Sequence, residues 1–497
     1  MSEPIVAEDM WAELLTGWNR GARFAGLVGD GDIASGLTLH GLLARESTVD
    51  AIDVQLPAGT SGYPALTIDV PAAFWYERAL HDLYGIVPQG HPRLDPLVLP
   101  HRDRGANVAE LPSPGASGHP EHVDPDERAL PSHVMGRGLF SIPHGPVRSG
   151  VFESVEYVVE TPGEDIPHVN VRPHFKHRGL EVRFEDMTTE RAVLLAERVE
   201  GIASVAHALA FCHAVEDLAG AQIPVPAQLV RVLHAELERI ANHLDVATRL
   251  CDAAGLAVAT ARFGLHKENT LRLVSGLCGN RFGRAVVAPG GINALPGLSA
   301  DTLNARLEML RRKVFGDVDA LMQTASFLDR LRGTGPLEPD FARAHGLLGP
   351  IGRASGQVDD ARWQRPYDGY PKLTRRAASR HDGGDAMARL RVRWDEVGES
   401  FELLSQTVDL LDSGSADELR VAVEPMAGQA VGWAEAPQGE VLYLIRLDDS
   451  GRLARCAPRS ASFHNLSVFG HTFQGDILTD FPFIEASFGL SIAGVVM

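Results

Sequence analysis

A chain of 497 residues exceeds what one hydrophobic core normally serves, so two or more domains are expected. With 44% hydrophobic and 22% charged residues, its composition is that of a globular protein and excludes a disordered one. A net charge of −19, unrelieved by any dense Lys/Arg stripe, argues against a nucleic-acid surface.

Cys212, Cys251, Cys278 and Cys456 stand singly, without Cys-x-x-Cys spacing. They read as buried thiols of a reducing compartment and not as a disulfide framework or cluster site. The opening Met-Ser-Glu-Pro lacks the basic-then-apolar layout of a signal peptide. No uncharged apolar run reaches the roughly 18 residues of a membrane span. The expected location is therefore the cytoplasm, or the cytoplasmic face of a membrane as a peripheral subunit held there by partners.

In chain order, residues 1–105 read as a small α+β domain. Ile52, Val54 and Leu56 alternate with Asp53 and Gln55, the period of a half-buried strand. Tyr63 to Val70 reads as a second strand. Pro71 then opens a helix over Ala72 to Tyr84, since its missing N–H would be unsatisfied there anyway. Residues 106–137 hold five prolines among Gly, Ser, His and acidic residues with no hydrophobic period. They read as a linker, the expected site of proteolytic separation into two folded pieces. Its His119, His122 and His133 are too loosely spaced for a metal site and read as solvated.

The second domain, 138–497, begins with a hairpin: Val151 to Glu160, a Thr-Pro-Gly-Glu turn, then Ile166 to Val171. From His174 a tight basic turn leads into a long apolar-patterned run. A single helix there would put Glu200, Ala203 and His207 on one face. Leu229, Leu233, Leu237, Ile240 and Leu244 predict a helix ended by Gly255. Leu303 to Leu321 predicts another, up to Gly333. Met387, Leu390, Trp394, Val397, Phe401, Leu404, Val408 and Leu411 keep a strict three-four alternation and predict a long helix. Such stripes bury against one another in a bundle. Glu440 to Asp448 and Arg452 to Cys456 form a further hairpin. The fold expected is α+β: a small α+β domain, then a mainly helical bundle with peripheral β-hairpins.

Several words in the chain resemble known families. Phe74-Trp75-Tyr76-Glu77-Arg78, with Asp82-Leu83-Tyr84-Gly85-Ile86 and Gly90-His91-Pro92, resembles the complex I accessory subunit that sits beside the quinone-site subunit. From about residue 140 to 488 the chain resembles the [NiFe]-hydrogenase large subunit and its descendant, the quinone-site subunit of complex I. The words carrying this are His177-Arg178-Gly179-x-Glu181, Glu236-Leu237-Glu238-Arg239-Ile240 with His243, Gly290-Gly291-Ile292, and Arg353-Ala354-Ser355-Gly356. Asp359, Arg362, Tyr367 and Tyr370, Arg389, Arg391 and Arg393, and Asp480-x-Pro482 complete them. The resemblance implies a hydrogenase-large-subunit-like bundle fused to an accessory domain that docks and assembles.

Departures from the family decide what it implies for chemistry. The first pair of nickel-ligand cysteines corresponds to Glu200 and Ala203, and the second pair to Ser491 and Gly494. One carboxylate and one hydroxyl do not replace four soft thiolates, so no nickel–iron centre and no metal on this chain are expected. The quinone-binding His and Tyr of complex I correspond to Ser149 and Gly201. The candidate site residues are Glu200, with Glu181 or His207 as its proton relay, and Arg148, His177 and Arg178 lining a cavity. Arg178 alternatively fixes its turn by pairing with a carboxylate. Glu200, flanked by apolar Val199, Ile202 and Val205, should bind its proton more tightly than usual if buried without a cation. The implied function is that of an oxidoreductase subunit in a membrane-associated complex related to NADH:quinone oxidoreductase and formate hydrogenlyase. It would act in electron transfer with a small iron–sulfur partner carrying a 4Fe–4S cluster and with integral membrane subunits, a quinone being the one candidate ligand. The alternative is a non-catalytic scaffold or coupling subunit of such a complex.

Overall fold

The computed structural model describes residues 10–99, 136, 138–149, 152–375, 380–412 and 419–497. The linker histidines and all but residue 136 of segment 106–137 lie outside these.

The first unit is an antiparallel meander flanked by helices. After α1 (Ala12–Asn19) come β1 (Arg23–Asp32), β2 (Gly36–Ala44) and β3 (Val49–Leu56), paired in that order. Ile52 and Leu56 face inward while Asp53 and Gln55 are exposed or half-exposed, as their alternation requires. The strand expected over Tyr63 to Val70 shrinks to β4 (Gly62–Pro64), which pairs in parallel with β5 (Val87–Gln89). The cause lies in α2 (Phe74–Tyr84). Its Glu77 carboxylate accepts the N–H groups of Leu66 and Thr67 at 2.8 and 2.9 Å. Donors that a strand would give to a ladder are spent on a side chain, and a short 3₁₀ turn forms instead. Pro71 opens the helical segment and Gly85, at φ 77°, ends it.

The second unit begins with β6 (Phe140–His144), β7 (Glu156–Thr161) and β8 (His168–Arg172), an antiparallel sheet in that order. The expected hairpin is β7–β8, with β6 added at its edge. The long helix expected after His174 is not formed. In its place are α3 (Leu180–Phe184), α4 (Thr189–Ala196), a turn over residues 197–203, and α5 (Ser204–Ala219). Glu200 and Ala203 thus lie in a turn ahead of α5, with Ala203 at φ −145°. The break is stabilised from outside: Glu238 accepts the N–H groups of Val205 and Ala206, satisfying donors that a continuous helix would have used internally.

The bundle follows as α6 (Val225–Ala253), α7 (Ala257–Cys278), the two-residue strands β9 (Val287–Ala288) and β10 (Gly291–Ile292), α8 (Ala300–Leu321), α9 (Ala325–Leu331), α10 (Pro339–Ala344), α11 (Gly349–Ala354), α12 (Ala361–Gln364) and α13 (Ala386–Asp412). Gly255 and Gly333 end helical segments at φ 68° and 70°. The leucine stripes of α6 and α8 and the stripe of α13 bury in one cluster, each large side chain contributing about 1.5–3 kcal/mol. Arg389 and Arg393 are buried and Arg391 is exposed, as three residues at two-residue spacing on a helix must divide. Last come β11 (Gly428–Ala436), β12 (Gly439–Leu447), β13 (Leu453–Arg459), α14 (Ala461–Leu466), α15 (Phe481–Phe488) and α16 (Ile492–Val495). The sheet order is β11-β12-β13.

The two units share one hydrophobic cluster. Phe463 of α14 packs edge-on against Trp75 and Tyr76 of α2. Arg446 clasps Asp30 through both carboxylate oxygens, at 2.7 and 2.8 Å. Arg23 reaches across to Asp359 and Glu440.

Candidate functional site

The turn before α5, the α14 helix and the C-terminal α16 meet around Glu200. Its carboxylate is 1% exposed yet not unpaired, as its apolar neighbours in sequence suggested. Ser460 Oγ donates to Oε1 at 2.7 Å and Ser462 Oγ to Oε2 at 3.2 Å. His207 Nε2 lies 2.8 Å from Oε1, and its Nδ1 lies 2.9 Å from the Tyr443 hydroxyl. Glu200 and His207 therefore meet, although they do not share a helix.

The four positions that the hydrogenase resemblance assigns to nickel cluster in the fold. A Cβ added to Gly494 would stand 2.4 Å from Glu200 Oε2, so α16 backbone is pressed onto the carboxylate. Ser491 is linked to Glu200 through Ser462, whose Oγ accepts the Ser491 N–H at 3.2 Å. Ala203 is fully buried. The donor set does not fit nickel: Ala203 and Gly494 offer no side-chain ligand, Ser491 Oγ is engaged by Glu153, and Glu200 is occupied by its three partners. Cys212, Cys251, Cys278 and Cys456 lie elsewhere, on α5, α6, α7 and β13. Among the described residues, no group of three or more His, Cys, Asp or Glu has metal-holding geometry.

Among the described residues Arg178 pairs with no carboxylate, so the alternative of a turn fixed that way is not what holds it. Its guanidinium donates to the carbonyls of Arg198, Val199 and Ala493, tying the turn before α5 to α16. Burial pulls its pKa down, opposed by the charges of Glu153 and Glu200. Glu153 in turn accepts the N–H groups of Ile492 and Ala493. Glu181 is drawn to Arg455, 2.5 Å away, which also bonds Tyr84 and the Gly29 carbonyl. It therefore sits at the junction with the first unit, sharing no hydrogen-bond partner with Glu200. His177, Arg178 and Glu181 line one largely apolar cavity of about 410 Å³ between the units, and burial lowers the His177 pKa. Arg148 stands apart, paired with Glu485 at 2.8 Å and stacked over Phe152. Ser149 and Gly201, at the quinone-pair positions, are exposed.

Several of the remaining family words, Glu236, Arg239, His243, Arg353, Arg362 and Tyr370 among them, meet in a buried ion network. Arg362 pairs with Glu236, Asp360 and Glu399, and Tyr370 and Ser400 donate to Glu236 at 2.6 Å. Burial alone would raise the Glu236 pKa; Arg362 and Arg239 more than reverse this and hold it below its usual value. Arg353 bridges Glu396 and Glu435, and His243 meets Glu396 at 2.8 Å. The network locks α6, α12, α13 and β11 together. Sequence reasoning missed Ser460, Ser462 and Glu153, whose contacts span hundreds of positions. Glu238 stands inside a family word, but no local feature marks its role at the turn.

A bundle closed over this turn by a C-terminal helix, with a small α+β unit fused ahead, defines a class. The chain belongs to the complex I 49 kDa and hydrogenase large-subunit family, with a complex I 30 kDa unit fused ahead of it. Residues 255–425 and 418–495 match the respiratory-chain NADH dehydrogenase 49 kDa subunit, and residues 33–107 the 30 kDa subunit. The chain is 30% identical to the carbon monoxide-induced hydrogenase of Rhodospirillum rubrum, over 70% of this chain and 96% of that protein. It is 29% identical to formate hydrogenlyase subunit 5 of Escherichia coli, over 88% and 77%. To the fused C/D subunit of the NADH-quinone oxidoreductase of Acinetobacter baylyi it is 26% identical, over 94% and 86%. A chain in the solved structure of the membrane-bound sulfane sulfur reductase, an archaeal respiratory membrane complex, shares the fold. Its TM-score is 0.68 at 22% identity, over 73% of this chain and all of that one. Among the described residues, no helix is long and apolar enough to cross a membrane.

Proposed function

We propose that this chain is a subunit of a membrane-associated oxidoreductase complex, peripheral on the cytoplasmic face, that works beside a small iron–sulfur subunit and integral membrane subunits without a nickel–iron centre. One observation supports the reading: the Glu200 carboxylate, which the hydrogenase resemblance aligns with a metal thiolate, is held by His207, Ser460 and Ser462. Such a carboxylate–imidazole pair shares one proton across a short hydrogen bond. With the proton on His207, Nε2 donates to the carboxylate; with it on Glu200, Nε2 accepts. The pair can take up or release a proton as charge changes in a neighbouring cluster. Any quinone would have to be bound without the usual His and Tyr, from the cavity lined by His177 and Arg178.

The tight seat of Gly494 on Glu200 favours a second reading, a non-catalytic coupling or scaffold subunit, because it leaves no space there for a substrate. Glu200→Gln separates the two. It keeps shape and hydrogen bonding but removes the titration. On the first reading the complex assembles and its reductant-driven turnover falls by roughly 10²-fold or more. Normal assembly with unchanged turnover would leave the scaffold reading standing.

A further inference from the structure

Beside the Glu200 turn lies a second, smaller cavity of about 90 Å³, bounded by α5, α6, α7 and the turn at residues 281–283. Its walls are mostly apolar, Ile202, Ala241 and Phe282 among them. Three polar side chains interrupt them at four-residue spacing along one face of α6: His234, Glu238 and Asn242. Gly201, the residue following Glu200, forms part of the wall and is exposed, so the cavity borders the turn that carries the buried carboxylate.

Two polar atoms of this wall lack a protein partner among the described residues. His234 is 2% exposed and Asn242 5%, yet His234 Nδ1 and Asn242 Oδ1 have no hydrogen-bond partner among the described residues. Buried polar atoms of this kind normally bond ordered water, and the space is several times what one water needs. Each Glu238 oxygen accepts one backbone N–H, Val205 at 2.8 Å and Ala206 at 3.1 Å. Each therefore keeps a lone pair for a further partner. Ser204, beside those donors, has a buried hydroxyl without a partner among the described residues.

We infer that this cavity is a water-holding proton inlet and that Glu238 is the residue carrying protons from it to the Glu200–His207 pair. The inference rests on the proton-active reading of Glu200 given above. The step moves one proton at a time: a protonated water in the cavity loses an O–H bond as Glu238 gains one, then the Glu238 O–H bond breaks as the Glu200–His207 pair gains the proton, leaving water neutral and Glu238 ionised again, and no electron is transferred. The charged surroundings suit a group that changes state near neutral pH. Burial raises the Glu238 pKa, the N–H groups of Val205 and Ala206 lower it, Glu200 across the turn raises it and Arg239 on its own helix lowers it, leaving it at about 8. Lys267 of α7, Arg281 of the turn and Asp245 of α6 complete the charged lining. His234 is pushed down to about 4 by burial and stays neutral.

The test is infrared difference spectroscopy on the purified complex holding the full chain, titrated by pH and exchanged into D₂O. A carboxylic C=O band with a midpoint of about 8 is expected, absent in Glu238→Gln. Ala241→Leu fills the cavity without replacing a titrating group, so it should keep the band but slow its deuterium exchange severalfold. Glu238→Gln should also lower turnover by roughly 10-fold to 100-fold in assembled complex. A band that survives Glu238→Gln, or exchange in Ala241→Leu as fast as in the parent, overturns the inlet. Glu200→Gln reports on the underlying reading alone: if it leaves turnover unchanged while both spectral results hold, Glu200 is not proton-active and the inlet serves no transfer to it.

Discussion

Replacing Gly494 by Ala is the most exacting test of how the former metal position is filled. The added Cβ would stand 2.4 Å from Glu200 Oε2, 2.7 Å from its Cδ and 2.8 Å from Ser460 Oγ. Non-bonded contacts are comfortable at about 3.5–4.0 Å, so the carboxylate has to move by roughly 1 Å. That displacement breaks at least one of the bonds holding it. Overpacking costs about 1–3 kcal/mol, and a lost hydrogen bond to a charged group about 1.5–3. Alanine's better helix propensity returns up to about 1 kcal/mol, leaving a net loss of roughly 2–4 kcal/mol. Urea unfolding followed by tryptophan fluorescence measures this. In a Glu200→Ala background the closest obstruction is gone, Ser460 Oγ at 2.8 Å remaining, and Gly494→Ala should cost about 1–2 kcal/mol less than in the parent, a coupling of that size between the sites. A loss within about 0.5 kcal/mol in the parent, or strict additivity of the two changes, would refute the packing described.

Arg362→Ala leaves Glu236, Asp360 and Glu399 buried without their shared cation and should destabilise the chain by roughly 3–5 kcal/mol in the same assay. Because the two units share a core, cleavage at a protease site engineered into residues 106–137 should leave the two pieces co-eluting in gel filtration; separate elution would contradict the shared interface. Burial raises the Asp30 pKa, but the nearby His40 imidazole, the hydrogen bonds and charge of Arg446 and the charge of Arg455 hold it below its ordinary 3.8. A depressed folded-state pKa contributes stability above the unfolded value that is lost as pH falls through the folded one. Arg446→Ala should therefore weaken piece-to-piece affinity at pH 7 by about 1 kcal/mol, Arg446 being partly exposed, with the difference from the parent fading as pH drops below about 4.

The long stripes of α6, α8 and α13 were legible because a repeating three-four spacing is a local signal that survives any tertiary context. The strand over Tyr63 to Val70 was not, because its donors are taken by Glu77, a residue on a different element. The long helix after His174 failed for the same reason: Glu238 caps α5 from 33 positions away. Strands β1 and β2 show no legible alternation because runs such as Gly36–Ala44 are buried along most of their length, whereas β6 is mostly exposed and offers no apolar face to read. At the site, Glu200 and His207 were found only through the family resemblance. Ser460 and Ser462 lie about 260 positions away in a stretch with no period, so nothing local marks them.

The account as a whole is tested most directly by the metal content of the native complex. The tagged chain would be purified from membranes of its own host, and iron and nickel counted per chain by mass spectrometry. Iron in cluster stoichiometry, four or more atoms from an iron–sulfur partner, with nickel far below one atom per chain, is the result predicted if Glu200, Ala203, Ser491 and Gly494 stand at the nickel-ligand positions, as the hydrogenase resemblance implies. One nickel per chain, or a chain that comes out of the cell without iron or partner, would contradict it.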